Sequence, residues 1–190
     1  MEAFLTSTVL VAVAEIGDKT QLLSFVLAAR LRKPWPILAG ILTATAANHT
    51  AAAWTGNLLA GMVPETPLTW MVGLSFIAFG IWALHPDTLD GSPTIFKAGV
   101  FVTAFVAFFL AEMGDKTQLA TVALAVRFEA LAQVIVGTTL GMMIANVPAV
   151  WIGDQMAQKV PMNTVRLLAA ALFILVGVLT LWSTFVPAWR

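Results

Sequence analysis

Glu15-Ile16-Gly17-Asp18-Lys19-Thr20-Gln21 recurs 97 positions later as Glu112-Met113-Gly114-Asp115-Lys116-Thr117-Gln118, with six of seven residues identical. Each copy sits inside a long apolar run. A charged side chain at the centre of a membrane helix costs roughly 2.5–3.5 kcal/mol on insertion scales, so such residues are functional candidates by default. Two carboxylates and a lysine, written twice at that cost, are hard to explain by packing.

The apolar runs dominate the rest of the chain. Of 190 residues, 59% are hydrophobic and 11% charged, and the mean hydropathy is +0.90. A soluble domain carries about 25% charged residues, so this composition describes a polytopic membrane protein. A spanning helix takes about 20 apolar residues, which leaves room for six spans and little else. The formal net charge is +0, which argues against a nucleic-acid partner. Without Cys, disulfides, iron–sulfur clusters and thiolate metal sites are excluded together. With only two His, a His-built zinc or copper centre is also disfavoured. Ala12-Val13-Ala14 before Glu15 imitates a signal-peptidase site. A signal peptide opens with a basic segment, however, and here the first charge is Glu2, so the first span is expected to be retained.

In order, the expected spans are Ala3 to Ala29, Trp35 to Met62, Leu68 to Leu84, Phe96 to Val126, Ala130 to Ile152 and Val165 to Phe185. Pro34 and Pro36 separate the first two, and Pro64-Glu65-Thr66-Pro67 is expected as a tight turn. The polar stretch 85–95 is expected as a linker between a first three-helix unit (1–84) and a second (96–190). At the offset of the motif, Arg30 matches Arg127, Gly40 matches Gly137, Pro64 matches Pro161, Phe76 matches Phe173 and Gly80 matches Gly177. His49 falls opposite Asn146. The expected fold is therefore all-α: six transmembrane helices as two three-helix repeats. Three is odd, so the copies enter the membrane in opposite senses, and inverted repeats of this kind place a substrate site near the midplane. One set of loops would carry Arg30, Arg32, Lys33, Lys97, Lys159 and Arg166, the other only Arg127 and Arg190. The positive-inside rule then puts both termini outside the cytoplasm.

On a continuous helix, residues three and four apart share a face. That expectation groups Glu15, Asp18 and Lys19 with Gln21, and Glu112, Asp115 and Lys116 with Gln118. Carboxylate and amide oxygens are hard ligands suited to Ca²⁺, Mg²⁺ or Mn²⁺. Thr20, Thr117, Asn48 and Asn146 are placed to add oxygens or to tie the carboxylates down. Gly17 and Gly114 fit two roles, close helix approach or a local opening of the helix that frees carbonyls. Each motif sums to −1 with its Lys protonated, so two converging motifs give −2, a charge that one divalent cation or two protons would cancel. In the bland alternative, each Lys pairs with the carboxylates of its own motif and the group glues helices together. For His49, a hydrogen-bonded packing role stands beside a direct ligand role. A thioether at Met113 would favour Mn²⁺ over Ca²⁺, although packing is the simpler role.

The doubled E-x-G-D-K-T signature, one per half, resembles the family of Golgi calcium/manganese–proton exchangers and their bacterial manganese-exporter relatives, and the resemblance covers essentially the whole chain. It implies a cation/proton antiporter exporting Mn²⁺ or Ca²⁺, with Glu15, Asp18, Glu112 and Asp115 as ligands and the cation as cargo, so that no resident cofactor is expected. The eukaryotic members carry N-terminal targeting extensions. This sequence begins at the first span, which implies a bacterial inner-membrane protein, surrounded by lipid, whose task is Mn²⁺ efflux. Two other functions compete. The wider lysine-exporter superfamily includes exporters of amino acids and other organic cations, but four carboxylates with almost no other polar lining favour a small ion. An intramembrane phosphatase would need Arg or Ser/His groups to hold and attack phosphate, whereas Arg30 and Arg127 sit at helix ends. The chain is not expected to be an enzyme.

Overall fold

A computed structural model describes residues 1–85, 94–152 and 162–185. Among them the chain is all helical: α1 (Glu2–Glu15), α2 (Lys19–Leu31), α3 (Pro34–Met62), α4 (Glu65–Ala83), α5 (Val100–Glu112), α6 (Lys116–Phe128), α7 (Leu131–Ile152) and α8 (Met162–Trp182). Three stretches, Glu65–Ala83, Leu131–Trp151 and Asn163–Trp182, are long and apolar enough to cross a membrane. Exposed Leu74 and Ile81 on α4, and Leu168, Leu175 and Leu179 on α8, give those helices an apolar outer surface suited to lipid.

Several boundaries differ from the sequence expectation. The stretches expected as first and fourth spans are not continuous helices, because each divides at its motif into α1 and α2, or α5 and α6. The tight turn at Pro64-Glu65-Thr66-Pro67 is shorter than expected, since α4 already begins at Glu65. Pro67 fits there because proline is tolerated in a first helical turn, where its missing N–H has no partner to lose. The helix expected to start at Phe96 starts at Val100. Gly99 has φ +107, outside the helical region, and the Phe96 amide donates to Thr103 Oγ1 at 3.0 Å. Most of the expected 85–95 linker (86–93), most of the loop expected from Asp154 to Asn163 (with Lys159), and Arg190 lie outside the described residues.

The second break in each half obeys the same local rule. Arg32 and Glu129, equivalent under the repeat offset, have φ 51 and φ 49. Their amides close back on Ala28 O at 3.0 Å and Ala125 O at 3.1 Å, the left-handed cap that commonly ends a helix. α2 and α6 therefore stop at matching points.

Packing exchanges elements between halves. α1 packs on α7 and α5 on α3, while α4 packs on α8. Gly40 and Gly137 make the first two contacts close. A Cβ at Gly40 would sit 2.7 Å from Ala104 Cβ, and one at Gly137 would sit 2.7 Å from Phe4 O. With lipid as the alternative solvent, close van der Waals contact of this kind substitutes for a hydrophobic drive between helices. α4 and α8 lock through Phe76, Phe79 and Phe173, whose rings meet at 6.2–6.3 Å.

The helix ends sort into two sets. Glu2, Glu65, Arg127, Glu129 and Trp182 line one cavity of about 830 Å³, and the Met1 amino group donates to Gln133 Oε1 at 3.1 Å. The starts of α1, α4 and α7 thus share an end of the bundle with the ends of α6 and α8. At the other end, Trp35 at the start of α3 meets Trp151 at the end of α7, edge to face at 5.5 Å.

Candidate functional site

Each motif breaks its helix in the same way. Glu15 and Glu112 are the last residues of α1 and α5. Ile16 and Met113 turn extended, with ψ 118 and 119. Gly17 and Gly114 take φ +83 and +73, a region that costs little only for glycine. Of the two roles open to these glycines, the structure adopts the opening of the helix. Asp18 and Asp115, extended, then begin α2 and α6 as N-caps. The Gln residues secure the break: Gly17 N donates to Gln21 Oε1 at 2.8 Å and Gly114 N to Gln118 Oε1 at 2.7 Å. The grouping expected from one continuous helical face is therefore corrected. In each motif Glu and Asp stand on opposite sides of a break, which the Asp18 and Asp115 amides bridge by donating to Glu15 O and Glu112 O, each at 3.1 Å.

The docking of the halves brings the two breaks together crosswise. Lys19 Nζ reaches Asp115 Oδ1 at 2.8 Å, and Lys116 Nζ pairs with Asp18 Oδ1. Lysine and aspartate thus pair between motifs, unlike the bland alternative of pairing within each one. The pairs differ in depth, since the Lys19 side chain is 27% exposed and that of Lys116 5%. Thr117 Oγ1 donates to Asp115 Oδ2 at 3.2 Å and approaches Glu112 Oε2 at 3.5 Å, joining the two carboxylates of its own motif. The Thr117 amide approaches Asp115 Oδ2 at 3.4 Å.

Glu15 and Glu112 are fully buried. Neither oxygen of Glu15, nor Oε1 of Glu112, has a hydrogen-bond partner among the described residues, and the same holds for the hydroxyl of buried Thr20. Glu15 lies within the electrostatic field of Glu112, Asp18, Asp115 and Lys116. His49, also fully buried, sets Nε2 3.8 Å from Glu112 Oε2. Among the described residues, no three Asp, Glu or His side chains stand in an arrangement ready to hold a metal, and each Asp is turned onto a lysine of the other half.

The remaining expected residues brace the site. Asn48 Nδ2 donates to Phe109 O at 3.0 Å, tying α3 to α5. Gln21 Nε2 donates to Ala145 O at 3.1 Å, tying α2 to α7. Asn146 Nδ2 donates to Met142 O at 3.0 Å, and its Oδ1 accepts from Ser24 Oγ at 2.7 Å. Ser24 was not among the residues the sequence singled out. Its signal was available, as a hydroxyl one turn beyond Gln21 in an otherwise apolar stretch.

The sequence profile of the divalent cation/proton antiporter GDT1 family matches residues 3–91 and 100–187. A Vibrio cholerae protein described as a "Putative manganese exporter" is 50% identical over 181 residues, covering 95% of this chain and 90% of that protein. The "GDT1-like protein sll0615" of Synechocystis is 29% identical over 205 residues, covering 96% and 98%. The rice "GDT1-like protein 3" is 26% identical over 200 residues, covering 91% of this chain and 71% of its own. No solved structure matches the chain. With two broken-helix motifs paired crosswise and a profile match over both halves, the chain belongs to the GDT1 family of divalent cation/proton antiporters.

Proposed function

We propose that the chain exports Mn²⁺, with Ca²⁺ as a second substrate, in exchange for protons, and that Glu15, Asp18, Glu112 and Asp115 carry the exchanged ions. One observation carries this reading: the two motifs meet through Lys19–Asp115 and Lys116–Asp18. Those pairs cancel two charges of each sign, and the two glutamates supply the remaining −2. An uncompensated buried charge is costly, so the site must hold either one divalent cation or two protons. Obligatory exchange follows from that alternation. A cation drawing on the aspartates must displace the lysines, which couples its entry to the contact between the halves. Mn²⁺ as the main cargo is supported by the name of the Vibrio cholerae relative. Family membership favours an inorganic cation over an organic one, and transport over phosphatase chemistry.

The membrane arrangement belongs to the same proposal: six spans, as two inverted three-helix repeats (1–84 and 96–190) joined by 85–95. α1 has 14 residues, about 21 Å at 1.5 Å per residue, too short for a hydrocarbon core of about 30 Å. α1 and α2 in series are long enough, as are α5 and α6. The ends that share the 830 Å³ cavity support opposite insertion of the halves. Arg30, Arg32, Lys33 and Lys97 fall at the other end, which by the positive-inside rule is cytoplasmic. Both termini then face away from the cytoplasm, in a bacterial inner membrane.

The test uses purified protein in liposomes with a trapped metal-sensitive dye and an imposed pH gradient. Mn²⁺ should move against the proton flow, faster than Ca²⁺. Mn²⁺ flux indifferent to the pH gradient would refute proton exchange.

A further inference from the structure

Resting on the transport function proposed above, we infer that His49 is a nitrogen ligand for the cation, contributed to one half of the site only, and that it sets the preference for Mn²⁺ over Ca²⁺. The two halves carry the same motif but differ in what the second helix of the opposite half presents to it. Over Glu112 stands His49, fully buried, with Nε2 3.8 Å from Oε2. Neither ring nitrogen has a hydrogen-bond partner among the described residues. Buried polar groups are normally hydrogen-bonded, so a packing histidine would be expected to have found one. This ring is aimed instead at a carboxylate whose Oε1 also lacks a partner and whose Oε2 is linked through Thr117 to Asp115.

At the position equivalent to His49, Asn146 is committed elsewhere. Its Oδ1 accepts from Ser24 and its Nδ2 donates to Met142 O and Sδ. Among the described residues, the position equivalent to His49 therefore offers Glu15 no imidazole. The cation would be held unequally, with imidazole and Glu112 on one side and Glu15 on the other. Ca²⁺ takes oxygen ligands; Mn²⁺ also suits carboxylate oxygen, but as a first-row divalent metal of the N/O/S affinity series it accepts a nitrogen ligand as well. One nitrogen in an oxygen site therefore discriminates between these two cargoes of similar charge.

Mn²⁺ is paramagnetic, which makes the ligand directly visible. Electron spin-echo envelope modulation of Mn²⁺ bound to the full chain should contain the ¹⁴N signature of a coordinated imidazole. The chain has two His, and the other, His85, is exposed. The signature should persist in H85N and vanish in H49N, the residue already held by the other half. In competition binding, H49N should lose Mn²⁺ affinity by at least about tenfold, as loss of even a supporting partner costs roughly 10–100-fold, while Ca²⁺ affinity changes less. Absence of the ¹⁴N signature from wild type, its loss in H85N, its survival in H49N, or equal losses for the two metals would each overturn the assignment. Wild type and H85N suffice should H49N fail to fold. A wild-type protein that binds no Mn²⁺ at all would overturn the export function, and this ligand with it.

Discussion

Lys19 of the first motif pairs with Asp115 of the second at 2.8 Å, and the converse pair, Lys116 with Asp18, lies deeper. Each motif therefore completes the other. Neither half holds a satisfied set of charges alone, and this explains in physical terms why the signature must occur twice.

The first prediction concerns the glutamates. Glu15→Gln and Glu112→Gln are near-isosteric, and each removes one charge from the −2 balance. Either single change should reduce coupled Mn²⁺ efflux to the level of empty liposomes. Both variants should stay folded, with Tm within roughly 3 °C of wild type, about what 1 kcal/mol shifts in a chain of this size. Efflux and thermal melting are measured on the same preparations. Wild-type efflux from either variant would end the shared-site proposal.

The lysine–aspartate pairs should behave differently. Lys116→Met leaves Asp18 buried without this cation, and breaking a buried pair costs about 3–5 kcal/mol. Lys19→Met should cost less, because the more exposed Lys19 pair is partly screened by solvent. Adding Asp18→Leu to Lys116→Met should recover part of the lost stability while leaving transport absent. Melting curves of the three variants give the comparison; equal losses for Lys116→Met and Lys19→Met would contradict the difference in burial.

Gly114 has φ +73, and an added Cβ there meets nothing within 4 Å. Gly114→Ala should therefore act through the backbone alone, at about 1–2 kcal/mol for the left-handed conformation. Its stronger effect should be on transport, since alanine favours a helix running through the motif and would turn Asp115 away from Lys19. Loss of efflux with a modest fall in Tm is the expected result. Full efflux would mean that the break is dispensable.

Protons and Mn²⁺ compete for the same carboxylates, so apparent metal affinity should rise with pH. For exchange of two protons per cation, log affinity should climb by up to about 2 per pH unit where the displaced protons are fully bound, and flatten where they are gone. Calorimetric titration across a pH series measures the slope. An affinity independent of pH would exclude proton exchange at these groups.

Much of this was legible in the chain itself. Charges placed in apolar runs marked Glu15, Asp18, Glu112 and Asp115 as candidates, because membrane burial of charge is too costly to be incidental. The all-helical membrane class followed from composition, since a bilayer leaves backbone polar groups to satisfy themselves. The matched positions of Gly40 and Gly137 were visible too, though not what they touch. Whether Gly17 and Gly114 pack helices or break them was not legible, because glycine permits both and the choice depends on Gln21 and Gln118 capturing the freed amides. Nor was the crosswise pairing. Sequence spacing fixes which side chains share a helical face, but Lys19 meets Asp115 only because α1 packs on α7 and α5 on α3. The same docking turned equivalent residues to different ends: His49 faces Glu112, while Asn146 is held by Ser24. The chain determined which charges lie within its apolar runs; contact between its halves, made close by Gly40 and Gly137, decided which of them meet.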